Sequence, residues 1–111
     1  MPLDPDALAA MYGSMSERAL QAEVDRALVL AGWLRYHTYD SRRSVAGFPD
    51  IVAIRGDRLI FRELKTQKGK LDADQLLWGD KLTRAGFDWA TWRPLMWGDG
   101  TILRDIERME P

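Results

Sequence analysis

The chain has 111 residues, the size of one domain, and its 46% hydrophobic and 30% charged content suits a globular protein and not a disordered one. It has no Cys and one His, His37, which excludes disulfides, Cys-ligated zinc and thiol catalysis and argues against His-based zinc sites and Ser-His-Asp triads. A net charge of −1 argues against a protein that coats nucleic acid by bulk electrostatics.

In chain order, Asp4-Pro5 can open a short helical turn that Gly13 interrupts, so residues 1–13 read as an N-terminal extension. This acidic start does not read as a signal peptide, and no apolar run reaches the length of a membrane span. A cytoplasmic location, bacterial or in a phage-infected host, is expected. Ser14-Met15-Ser16-Glu17 has the spacing of a capping box and predicts a helix that stops at Gly32. Its apolar stripe is Leu20, Val24, Ala27, Leu28 and Ala31. Residues 33–39 read as an aromatic-rich strand, and residues 40–49 as a polar, basic loop containing Arg42, Arg43 and Gly47. Residues 50–55 and 58–65 are two further strands joined through Gly56-Asp57. Asp72 or Asp74 then caps a helix with Leu71, Gln75, Trp78 and Leu82 near one face, ended by Gly86. Residues 87–93 form a fourth strand before Pro94. The tail, 98–111, fits a helix somewhat better than an edge strand. The order αβββαβ over residues 14–97 predicts an α/β domain, a mixed four-stranded sheet flanked by helices.

Gly56-Asp57 suits a type II′ hairpin turn, and that turn fixes a register. Arg55 opposes Arg58, Ile54 opposes Leu59, Val52 opposes Phe61, and Asp50 opposes Glu63, with directly opposed Cβ atoms roughly 4.5–5.5 Å apart. Two carboxylates meeting at the end of an apolar face repel each other and lose solvation. A shared proton or a shared cation relieves this, and Mg²⁺ suits the second because it takes few carboxylates and keeps its waters. Lys65 follows two residues after Glu63 on the same face, placed to hold a water or a phosphate. Arg62 points to the other face, so Lys65 alone would have to balance the acids. Glu23 falls inside the apolar stripe of the first long helix, where it is either a third acid or an edge carboxylate reaching solvent. Gln75 similarly interrupts its helix stripe with an amide. The cations Arg55, Arg58, Arg62, Lys65, Lys68 and Lys70 crowd one stretch, a solvated face or a grip on nucleic acid.

Gly47-Phe48-Pro49-Asp50, followed by twelve residues and Glu63-Leu64-Lys65, resembles the PD-(D/E)XK nuclease superfamily. Glu23, the loop from Ser44 to Asp50, Gln75 with Trp78, and Trp92-Arg93-Pro94 make it similar to the VRR-NUC family. The resemblance implies a restriction-endonuclease-like fold and hydrolysis of phosphodiester bonds in DNA, with Asp50 and Glu63 ligating Mg²⁺ or Mn²⁺. The backbone carbonyl of Leu64 would be a further ligand, and Glu23 would hold a coordinated water or a second ion. Lys65 would orient the attacking water, and Gln75 would position Lys65 or the scissile phosphate. Arg42, Arg43, Ser44, Lys68 and Lys70 flank the site as candidate DNA contacts. Stand-alone relatives of this length are often phage or bacterial and are similar to enzymes acting on branched DNA such as four-way junctions. One centre per chain cuts one strand, so a two-fold homodimer is expected, with Trp89, Trp92 and Trp97 available for an interface or for the core. The alternatives are a less selective nuclease of phage DNA metabolism and a catalytically silent nucleic-acid-binding or interaction subunit.

Overall fold

The computed structural model describes residues 4–38 and 44–108. Its elements are α1 (Pro5–Tyr12), α2 (Glu17–Leu30), β1 (Leu34–His37), β2 (Ile51–Arg55), β3 (Arg58–Leu64), α3 (Ala73–Arg84), β4 (Asp88–Trp92), α4 (Pro94–Gly98) and α5 (Thr101–Glu107). The sheet is organised by the Gly56-Asp57 turn. Gly56 has φ +56° and no described non-glycine residue has a positive φ, the type II′ pattern, in which only the first central residue is left-handed. The β2–β3 register runs Arg55 to Arg58, Ile54 to Leu59, Val52 to Phe61 and Ile51 to Arg62, as the turn predicts. β1 lies antiparallel on β2, and β4 lies parallel to β3. The order β1-β2-β3-β4 makes the expected mixed four-stranded sheet with helices against it.

β2 and β3 are apolar on both faces, so alternation alone does not say which face carries the core. The core forms on the face of Ile51, Ala53, Ile60 and Leu64, where Leu20, Val24 and Leu28 of α2 meet Ile102 and Ile106 of α5. Burying each of these branched side chains is worth about 1.5–3 kcal/mol. The opposite face, bearing Val52, Ile54, Leu59 and Phe61, is covered only in part, by Phe48, Trp78 and Phe87 in edge-to-face contacts. Trp92 belongs to the core, and Trp97 packs against it.

The start of α2 differs from the sequence reading. The α2 cap is Ser16, whose side chain accepts the Ala19 N–H at 3.1 Å, and the box from Ser14 to Glu17 does not form. A turn from Tyr12 to Met15, closed by the Met15 N–H on the Tyr12 carbonyl, takes up Ser14 and seats Met15 against the core. Glu17 thereby becomes the first residue of α2 and is not used as a cap. The C-terminal segment is helical over Thr101–Glu107 and puts Ile102 and Ile106 into the core. Asp105 of α5 pairs with the guanidinium groups of Arg58 at 3.0 Å and Arg62 at 2.9 Å, both almost fully buried. The Trp33 indole donates to the Ile106 carbonyl. Among the described residues, no helix is long and apolar enough to cross a membrane.

Candidate active site

The site lies where β2 begins and β3 ends. Continuing the β2–β3 register by one residue sets Asp50 opposite Glu63. Asp50 is locked in place from two sides. Its carbonyl accepts the Thr38 N–H at 2.8 Å, and its Oδ2 accepts the Leu64 N–H at 2.7 Å. The preceding loop is held close to the N-terminus of α3. Gly47 has φ +85°, and a Cβ there would collide with the backbone of Asp74, so both conformation and space require glycine.

Glu63 is 3% exposed. Burial, then repulsion and hydrogen bonding from Asp50, push its carboxyl up to about 9, opposed by the charge of Lys65 and reinforced by that of Glu17. Glu63 therefore carries a proton at neutral pH unless a cation replaces it. This is the shared-proton solution that two facing carboxylates require. Gln75 completes the pair. Its Nε2 donates to Glu63 Oε1 at 2.8 Å, while its Oε1 accepts the Asp72 N–H in a capping box at the start of α3. Gln75 thus orients Glu63 directly, with its second amide hydrogen uncommitted among the described residues. The loop after Lys65 is equally fixed. The Arg93 guanidinium donates to the carbonyls of Thr66 at 2.8 Å, Gln67 at 3.3 Å and Gly69 at 2.7 Å.

The structure thus brings together Asp50, Glu63, Leu64 and Gln75, with Lys65 close enough to act on Glu63. It does not bring Glu23 there. Glu23 pairs with Arg26 at 3.5 Å and borders a depression with Leu30, Trp97, Leu103 and Ile106. Its helical phase, one residue before Val24, turns it towards α5. The acid of α2 whose charge reaches Glu63 is Glu17. Glu17, Leu20, Val24 and Leu28 share one stripe at spacings of three, four and four. Extending that stripe backwards finds Glu17, and assigning it to a capping box hides it. Ser44 is half-buried beside the site loop, and Lys68 and Lys70 are exposed. Arg42 and Arg43 lie outside the described residues.

Hard oxygen donors are what this pair offers, and they fit Mg²⁺ or Mn²⁺. Among the described residues no group of three His, Cys, Asp or Glu side chains forms a closed cage. The fit is that of a two-carboxylate site whose remaining positions are left to water, backbone and substrate oxygens.

A family model described as the VRR-NUC domain matches residues 10–93. A solved VRR-NUC domain superposes with a TM-score of 0.66, covering 85% of this chain and 97% of that one at 20% identity. A solved structure of Hjc, a Holliday junction resolvase from Archaeoglobus fulgidus, aligns with a TM-score of 0.46 at 30% identity, over 70% of this chain and 65% of that one. No curated protein matches the sequence significantly. The matched segment holds Asp50, Glu63, Lys65 and Gln75, and with them the sheet that faces the carboxylates onto each other. The chain belongs to the VRR-NUC family of the PD-(D/E)XK nuclease superfamily.

Proposed function

We propose that this chain is a Mg²⁺-dependent DNA endonuclease that selects branched DNA and works as a homodimer. The observation that carries the reading is the facing pair of Asp50 and Glu63, each fixed by a hydrogen bond from the chain. Such a pair costs stability in a purely structural role and is relieved by a divalent cation. Family membership supports cleavage of nucleic acid.

Asp50 and Glu63 would hold the ion, with the Leu64 carbonyl as a further ligand. The ion supplies activation of water at neutral pH and neutralisation of the charge that develops on phosphate, so no His is needed. The Leu64 N–H on Asp50 and the Gln75 amide on Glu63 keep the two carboxylates in a fixed geometry and limit reorganisation during the reaction. Lys65, whose charge acts on Glu63, would orient the attacking water and screen the phosphate. Glu17, at the start of α2, is the acid of that helix whose charge acts on Glu63, and it would support the centre through a solvating water.

Among the described residues no element is suited to reading bases in a groove, which favours recognition of DNA shape. One centre per chain implies two copies for two strands. The exposed Leu34, Tyr36 and Ile54 beside the free edge of β1 offer apolar area for that contact. The test is incubation with labelled four-way junctions, flaps, single strands and linear duplex, with Mg²⁺, Mn²⁺ or chelator. Cleavage of branched DNA with either metal and none with chelator is expected. No cleavage of any substrate with either metal would refute the enzyme reading, and a monomer in sedimentation with junction DNA would refute the dimer.

A further inference from the structure

Beside the active site, Gln67, Lys68, Gly69, Lys70, Leu71, Leu76 and Arg93 line a shallow depression of about 410 Å³. Its floor is apolar and its rim is cationic. Leu76 is 53% exposed. Lys68 and Lys70 are exposed, and neither has an ion-pair partner among the described residues. The loop that carries them is set in advance. Arg93 spends its Nη1 on three loop carbonyls, and the Gln67 side chain accepts the Leu95 N–H at 3.0 Å. Arg93, which also lines the depression, supports the loop through Nη1.

We propose that this depression is a subsite for one unpaired nucleotide next to the cleaved phosphate, its base lying on Leu71 and Leu76 and its phosphates held by Lys68 and Lys70. The argument is chemical. A phosphate alone would use the lysines and gain nothing from the leucines. A paired base has both faces covered by its stack and cannot reach an apolar floor. A base splayed out of a fork or flap exposes a π-face that loses water on contact with leucine, as in wedges and flipped-base pockets, while lysines at the rim neutralise its backbone. Lys65 and Gln67 are separated by one residue, and Leu76 follows Gln75, whose amide bonds Glu63 at 2.8 Å, so the depression neighbours the Asp50–Glu63 centre along the chain.

The subsite rests on the nuclease reading only for its neighbour, the cleaved phosphate, and it is testable without cleavage. Fluorescein-labelled forked DNA and blunt duplex of equal length would be titrated by anisotropy in chelator, so that nothing is cut. The wild type is expected to bind the fork more tightly than the duplex. Leu76→Ser is expected to weaken the fork by about tenfold, in line with the worth of one base contact, and the duplex by less than twofold. Leu77→Ser is the control, since Leu77 is 55% exposed on the same helix and lies outside the depression; it should change neither. Replacing Lys68 and Lys70 by Ala together should weaken both DNAs and flatten the salt dependence. Equal wild-type affinity for the two DNAs, equal weakening of both by Leu76→Ser, or the same loss with Leu77→Ser would overturn the subsite. Cleavage with Mg²⁺ alongside any of these results leaves the nuclease reading standing. Fork preference through Leu76 without cleavage would remove the nuclease reading and leave the subsite.

Discussion

Replacing Asp105 by Ala tests whether α5 is part of the nuclease domain. In the native protein two positive guanidinium groups, Arg58 and Arg62, are each 2% exposed as side chains and share the carboxylates of Asp105 and Asp88. Asp105 also accepts the Trp92 indole N–H at 3.1 Å. Removing Asp105 leaves two buried positive charges facing one carboxylate, Asp88, which is 37% exposed and touches them at 3.3 and 3.0 Å. Breaking a buried ion pair costs about 3–5 kcal/mol. Because Asp88 remains, the lower end applies, and about 3 kcal/mol corresponds to a fall in Tm of roughly 10–20 °C for a domain of this size. Desolvation opposes ionisation of Asp105, but Arg62 and Arg58 outweigh it and hold the carboxyl below its ordinary value of 3.8. The stability from this pairing is therefore fully present above that value and is lost as pH falls through and below it. Urea unfolding at pH 7 and at pH 3 measures both effects. A variant within about 1 kcal/mol of wild type at pH 7, below the cost of a broken buried pair, would refute the reasoning, as would an equal loss for Asp88→Ala.

Three further outcomes follow from the site. With Glu63 raised from 4.5 to about 9, the folded protein holds a proton that the unfolded chain releases at lower pH. Urea midpoints in chelator should fall as pH rises from 4.5 towards 9, and Glu63→Gln should remove that slope. Glu17→Gln should reduce the cleavage rate by about 10–100-fold, as for groups that support a metal centre, whereas Glu23→Gln should stay near wild type; the two rates under Mg²⁺ decide. Gly47→Ala should cost about 2 kcal/mol or more, from the left-handed conformation and the collision with Asp74, measured by thermal unfolding, and should lower cleavage by displacing Asp50.

The sequence carried the sheet and the carboxylate pair because both depend on local rules. A two-residue turn with glycine first sets a register, and the register sets which side chains oppose. The role of Gln75 was half legible. Its place on the α3 stripe pointed inward, but its double use, one end on Asp72 and the other on Glu63, needed the third dimension. The position of Glu17 was not legible because Ser14 and Ser16 are both competent caps, and the turn after α1 decides between them. The core face was ambiguous because Ile51 to Ile54 and Leu59 to Phe61 are apolar on both sides. The pairing of Arg58 and Arg62 with Asp105 joins residues more than forty positions apart, beyond any periodicity.

The central claim is that Asp50 and Glu63 form a metal-dependent cleavage centre. Single-turnover cleavage of one labelled branched DNA by wild type, Asp50→Asn and Glu63→Gln, each confirmed folded and each with Mg²⁺ or chelator, tests it most directly. The account predicts cleavage by the wild type with Mg²⁺ alone and at least a hundredfold loss in both variants, about the upper end for weakened metal sites. Full-rate cleavage by Asp50→Asn, or wild-type cleavage undiminished in chelator, would contradict it.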